Sequence, residues 1–203
     1  KIKFKLKKLK NKKIKKRRKQ MTKRIIIFLT SLIFFTGAFL NAQNSKTLIV
    51  YFSWGGNTRV AAENTKRLTG ADIFEITVKN PYPTDYSQCV NQAREEQRTD
   101  FLPELNGNVN NLSQYDTIIV AFPNWWGTYP QAVKKFLIDN RDISSKKIAL
   151  LCTHGGSRLG RSVNDLKALY PNANILEGLA ISGSSVRNSE NDIRNWLKKI
   201  GLL

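Results

Sequence analysis

From residue 46 onward the chain alternates short apolar runs with longer stretches of helical periodicity. Thr47–Phe52, Thr117–Phe122 and Lys147–Cys152 are almost uninterrupted apolar segments, whereas Asp72–Val78 alternates apolar and polar positions like a half-buried strand. A further strand is expected at Ile175–Ile181. Helical spacing follows at Arg59–Asn64, at Tyr86–Arg98, at Pro130–Asp139 with proline in the first turn, and at Ser162–Tyr170. Glu190–Ile200 is amphipathic, with Ile193, Trp196, Leu197 and Ile200 on one face. Five strands alternating with five helices, the strands continuously apolar, predict an α/β domain whose parallel sheet is covered on both faces. In such sheets ligands bind beyond the carboxyl ends of the strands, where strand order reverses. The segments Ser53–Thr58, Pro123–Pro130 and Thr153–Arg161 are therefore expected to converge.

The pattern before residue 46 is different. Residues 1–20 hold 13 of the 34 Lys and Arg and no acid, and are expected to lie upstream of a true start at Met21. The alternative is a basic arm for nucleic acid or anionic lipid. Lys23-Arg24, the apolar stretch Ile25–Leu40 and Asn41-Ala42 have the layout of a signal peptide, cut after Ala42. The stretch is short of the roughly 20 residues of a bilayer span, so contact with the membrane is expected only in transit, and the protein is expected to be periplasmic or extracellular. An uncleaved membrane anchor is the alternative. Residues 1–42 carry 15 basic and no acidic groups, which leaves 19 basic and 15 acidic, a net of +4, on the expected domain 43–203. The overall +19 is thus no argument for nucleic-acid binding. Cys89 and Cys152 have no metal-ligand spacing and read as small buried apolar residues.

Chemistry concentrates in the three loops. Ser53-Trp54-Gly55-Gly56-Asn57-Thr58 turns an apolar strand into a helix. Such a turn aims backbone N–H groups at one point beside the positive end of the helix dipole, which makes a seat for phosphate. No G-x-x-x-x-G-K-[ST] or G-x-G-x-x-G is present, so a nucleoside triphosphate or dinucleotide is disfavoured and a terminal monophosphate ester fits. In Pro123-Asn124-Trp125-Trp126-Gly127-Thr128-Tyr129 the paired tryptophans offer a flat stacking face, with one of the two expected to pack beneath the loop. Thr153-His154-Gly155-Gly156-Ser157-Arg158-Leu159-Gly160 supplies hydroxyls and closely approachable backbone. A phosphate seat, an aromatic wall and a backbone-donor loop together describe a site for FMN. The phosphate would sit on the first loop, and the ring would lie between the other two.

On these residues the chain resembles the flavodoxin family, in particular short members whose third strand ends in a phrase like Pro123-Asn124-Trp125-Trp126-Gly127-Thr128-Tyr129-Pro130. The first loop is similar to the family's [ST]-x-[ST]-G-x-T pattern at Ser53, Gly56 and Thr58, and Tyr82–Tyr86 and Thr153–Ser157 extend the likeness. The resemblance implies a flavodoxin-like three-layer sandwich with a five-stranded parallel sheet in the order 2-1-3-4-5. It also implies tight non-covalent FMN and oxidoreductase or electron-transfer activity. Gly55 stands where the family usually has a hydroxyl, at a cost of about 1 kcal/mol in phosphate binding. His154 stands where a small polar residue is commoner, so the family assigns it no role; it is a weak candidate for catalysis.

Family carriers tend to be acidic and to dock on basic partners. The +4 of residues 43–203 therefore favours reduction of a small acceptor such as a quinone, with NADH or NADPH as a candidate donor, over one-electron service to a redox partner protein. Arg59, Arg158 and Arg161, with no carboxylate among the loops, are expected to favour the reduced cofactor. A serine hydrolase is a remote alternative, since Ser157 lacks a G-x-S-x-G setting and the single histidine lies only three residues away. A receiver-type signalling domain fails because Ser53 and Asn124 replace the acids it needs. No metal is expected.

Overall fold

The computed structural model describes residues 46–203; the expected extension and signal peptide, residues 1–42, lie outside the described residues. The elements run β1 (Thr47–Tyr51), α1 (Asn57–Thr69), β2 (Asp72–Glu75), α2 (Tyr86–Thr99), β3 (Thr117–Pro123) and α3 (Gln131–Asp139). They continue as β4 (Lys147–His154), α4 (Ser162–Leu169), β5 (Asn174–Ile175), β6 (Leu179–Ser182) and α5 (Glu190–Lys199). The sheet is parallel in the order β2-β1-β3-β4-β5, with β6 also paired to β4.

Strand alternation divides the core in two. Leu48, Val50, Ile118, Val120, Ile148 and Leu150 face one layer, formed with Phe136 and Leu137 of α3 and Leu166 of α4. Ile49, Ile119, Ala149 and Leu151 face the other, against Ala61 and Ala62 of α1 and Ile193, Trp196 and Leu197 of α5. A central strand buried on both faces must be apolar at every position, which explains the unbroken runs of β1, β3 and β4. The expected three-layer α/β sandwich is what forms.

Two strands differ from expectation. The run Asp72–Val78 pairs with β1 only through Glu75, and Ile76 adds a last bond to the Tyr51 carbonyl. Beyond it β1 has already turned into its loop and offers no partner. Thr77 and Lys79 instead bond Asn106 and Glu104, and Val78 bridges Leu105. The expected strand Ile175–Ile181 is broken into β5 and β6, giving a sixth strand. Ile148 pairs with Ile175 but Leu151 with Leu179, so one extra residue is inserted on the outer side. At this bulge the Glu177 carbonyl turns out to accept from Trp196 Nε1 at 2.8 Å. Gly178 lies against the Leu150 carbonyl and Leu159, where a Cβ would come within 3.1 Å and 3.0 Å respectively. Smaller shifts occur at helix ends: α1 starts two residues earlier than expected, and Pro130 caps α3 rather than joining it.

Phe136 is completely buried and its ring lies 5.7 Å from that of Phe74, which couples α3 to the edge strand β2. Phe136→Ala should therefore cost about 3–5 kcal/mol of stability, read from the urea midpoint at unchanged m-value.

Candidate functional site

The chain leaves β1 toward α1 on one face and leaves β3 toward α3 on the other, so the switch point falls between β1 and β3. The three segments meet there around a cleft of about 840 Å³.

The first loop supplies an uncapped helix start. Gly56 takes φ 87° ahead of Asn57 and has no side chain with which to cap α1, and the first turn carries no acid. Its early N–H groups thus point into the cleft end without a protein anion to satisfy them. Ser53 Oγ accepts from the Arg59 N–H at 3.2 Å, which fixes the loop. Thr58 and Thr153, 1 % and 3 % exposed, share a 2.7 Å hydrogen bond between their hydroxyls, tying the start of α1 to the end of β4. Gly55 has open space where a Cβ would be, so nothing there fills the missing hydroxyl's place.

The second and third loops are locked together by Asn124. Its N–H donates to the Thr153 carbonyl at 2.7 Å, its Nδ2 to the Arg158 carbonyl at 2.8 Å, and its Oδ1 accepts from the Gly127 N–H at 3.0 Å. Gly160 does not line the cleft: a Cβ there would lie 2.1 Å from the Gly127 carbonyl oxygen, so this glycine serves close loop packing. Gly56 and Gly156 are likewise absent from the lining, and the Gly156 N–H donates to His154 Nδ1 at 2.9 Å. Pro123, Thr153, His154, Gly155 and Ser157 all border the cleft.

The two tryptophans divide as expected. Trp125 is half-buried and meets Phe52 and Tyr82 edge-on at 5.4 Å and 5.0 Å. Trp126 remains 43 % exposed, with φ 52°, and Arg94 lies 4.2 Å from its ring centre.

Three groups escaped the sequence reading. Trp54 sits inside the first loop yet was given no role; its Nε1 donates to the Pro83 carbonyl at 2.9 Å. Tyr86, Cys89, Val90 and Ala93 form a wall from α2. Their i, i+3, i+4, i+7 spacing marks a helix face, but which neighbour that face meets is not local information. Ser182-Gly183-Ser184 ends β6 and borders Asn57; a Cβ on Gly183 would fall 2.8 Å from its Nδ2. That small polar run after a strand was a usable signal.

No side chain bordering the cleft carries a formal charge at neutral pH. The expected cationic field is corrected here: Arg59 pairs with Glu75 and Arg161 with Asp165, carboxylates brought in by β2 and α4 from outside the loops. Arg158 has no carboxylate partner among the described residues. Burial, aided by Arg158, holds the His154 pKa below its usual 6.5. With Nδ1 accepting from Gly156, the neutral ring keeps its proton on Nε2. Burial also raises the Cys89 thiol to about 11 and the Cys152 thiol to about 12, so both stay protonated and unreactive. Among the described residues there is no His, Cys, Asp and Glu grouping that could hold a metal, and no helix long and apolar enough to cross a membrane.

The family model described as Flavodoxin matches residues 46–200, and the chain belongs to the flavodoxin family. Among solved structures it is similar to a candidate flavoprotein from Bacteroides eggerthii at 30 % identity and TM-score 0.68, covering 77 % of this chain and 98 % of that one. A second candidate flavoprotein, from Bacteroides uniformis, gives 27 % identity and TM-score 0.67 over 76 % and 98 % of the two chains. A flavoprotein from Lactobacillus acidophilus, solved in complex with FMN, shares the fold at 22 % identity and TM-score 0.61, over 71 % and 97 %. No curated protein sequence matches the chain.

His154 is the single histidine, so its ring titrates without overlap in a proton NMR experiment. The midpoint should lie below 6.5, and Arg158→Gln should move it upward. Because the folded pKa is depressed, the unfolded chain binds the proton more readily. This residue's contribution is therefore complete above pH 6.5 and is lost as the pH falls through the folded value. A midpoint above 6.5 would refute the neutral ring.

Proposed function

We propose that the protein is a flavin-dependent oxidoreductase that reduces a small acceptor of the quinone class. FMN is its cofactor, as its family membership implies, and supplies reversible uptake of one or two electrons. The residues present fit that group. The observation that carries the reading is the start of α1 after Gly56, where Ser53 takes the Arg59 N–H and the cleft is bordered by the hydroxyls of Ser53 and Thr58 and by no cation. Such a seat suits a phosphate monoester and is too weakly charged for a polyphosphate. Ser53, Gly55, Gly56, Asn57 and Thr58 would hold the phosphate. Pro123, Asn124, Trp125, Trp126 and Gly127, with Thr153, His154, Gly155 and Ser157, would flank the ring. Trp126 is the exposed indole available for stacking, while Trp125 props the loop from below.

The chemistry balances as quinone plus two electrons and two protons to quinol, the electrons coming from a reduced nicotinamide or another two-electron donor. His154 Nε2–H is a proton-bearing group on the cleft wall. The net +4 of residues 43–203 supports a small acceptor over docking of the acidic-carrier type. The alternative, one-electron service to a protein partner, is favoured by the openness of the same cleft to solvent. Against hydrolysis, His154 Nδ1 is engaged by Gly156 rather than by a serine hydroxyl. The proposal extends to location: an exported protein whose mature chain starts at Gln43.

The protein should bind FMN one-to-one and riboflavin much more weakly. Thr58→Val should cost about 1–2 kcal/mol of FMN binding, roughly 5–30-fold, measured by fluorescence titration. Equal affinity for FMN and riboflavin would refute the phosphate seat. Trp126→Ala should restore more of the bound flavin's fluorescence than Trp125→Ala. NADH or NADPH consumption by the FMN-loaded protein should depend on added quinone. Consumption of neither, with transfer only to a protein acceptor, would favour the carrier. Intact mass of the native exported protein should correspond to residues 43–203; a retained Met21 would refute the cleavage.

A further inference from the structure

The loop that carries the paired tryptophans closes in a locally disfavoured way. Trp125 and Thr128 exchange both backbone hydrogen bonds, at 2.9 Å and 3.2 Å, so Trp126-Gly127 is a two-residue reverse turn. Both turn residues take positive φ, 52° and 86°. A turn of this sign normally places asparagine, aspartate or glycine first, because a bulky side chain in the left-handed region costs free energy. Glycine bears no such cost at 127, but tryptophan does at 126. The turn therefore needs support from outside itself.

Much of that support comes from Arg161. Its Nη1 donates to the Trp126 carbonyl at 3.2 Å, and its backbone N–H donates to the Gly127 carbonyl at 2.8 Å. Its Nη2 donates to Gln97 Oε1 at 3.3 Å, and Gln97 Nε2 in turn donates to the Trp125 carbonyl at 2.7 Å. Three successive carbonyls are thus taken by one arginine and the glutamine it orients. The remaining guanidinium N–H, on Nε, donates at 3.0 Å to Asp165 Oδ2, which also accepts from the Thr128 hydroxyl at 2.6 Å. A planar guanidinium can serve these directions at once, and a lysine ammonium cannot hold them in one fixed plane.

Neither Arg161 nor Gln97 lines the cleft, whereas Trp126 does. The turn's carbonyls are therefore engaged by groups outside the cleft. Asp165 answers the charge of Arg161, so what the arginine contributes here is geometry rather than a field. We infer that Arg161 is the positioning residue of the aromatic wall. It holds the Trp126-Gly127 turn in its left-handed form and so sets the plane of the indole before a flavin ring arrives. The inference rests on the reading of Trp126 as the stacking partner and adds what keeps it in place.

Arg161→Met keeps the backbone N–H and the approximate length, and removes the guanidinium at an exposed position. Arg161→Lys keeps the charge without the fork. In full-chain protein without FMN, hydrogen exchange at the Gly127 and Thr128 amides should be at least about tenfold faster in Arg161→Met, with β1 and β4 unchanged. Fluorescence titrations should show FMN and riboflavin weakened by the same factor, about five- to thirtyfold, because the loss falls on the ring and spares the phosphate. Thr58→Val should instead narrow the preference for FMN over riboflavin. In a Trp126→Ala background, Arg161→Met should weaken FMN by no more than about twofold further, since it acts through that indole. Arg161→Lys should behave like Arg161→Met, and carries the same tests if the methionine variant does not fold.

Unchanged exchange at residues 127 and 128, a lysine variant matching the wild type, or full additivity with Trp126→Ala would each overturn the assignment. Faster exchange with unchanged flavin affinity would overturn it too, since the turn would then be held for some other purpose. If Trp126→Ala alters neither affinity nor quenching, the stacking reading fails, and exchange alone decides whether Arg161 holds the turn.

Discussion

Parallel pairing of β1, β3 and β4 is the constraint on which everything else in this domain depends. With Val50 beside Val120 and Val120 beside Leu150, three strands run in register and are buried on both faces. A parallel sheet cannot be closed by tight turns, so each strand must hand over to a helix that crosses back, and every handover falls at the same edge. Backbone groups at that edge lose their ladder partners just where three glycine-bearing loops begin. The cleft is thus a by-product of sheet geometry, sharpened by the local chemistry of each loop.

Those loops are bound to one another rather than left independent. The hydroxyl pair Thr58–Thr153 joins the first to the third, and Asn124 joins the second to the third through two hydrogen bonds while a third, from the Gly127 N–H, braces its own loop. Gly160 lets the third loop approach the Gly127 carbonyl more closely than any other residue could. Such cross-links keep donors and ring faces in place before any ligand arrives, which lowers the ordering cost of binding.

Charge is handled by placement. Arg59 and Arg161 are paired outward to Glu75 and Asp165 and Arg94 is laid on the Trp126 ring, while Arg158, without a carboxylate partner among the described residues, joins burial in keeping the histidine neutral. What remains facing inward is dipolar: N–H groups, hydroxyls and indole edges. The helix start adds the positive end of its dipole to that lining.

Sequence alone determined the fold class, because strands buried on two faces must be apolar throughout and their number and spacing can be counted. It also determined the three loops, since glycines, hydroxyls and paired tryptophans beyond a buried strand have no use in a core. Tertiary structure alone decided the rest. The break between β5 and β6 depends on Gly178 meeting Leu150 and Leu159, and the early end of β2 on β1 turning away. Which indole faces outward, the pairing of Arg59 and Arg161, and the approach of α2 and of Ser182–Ser184 were likewise decided there. Each of these is a contact between segments distant in the chain. Periodicity shows that a face exists, and only packing decides what it meets.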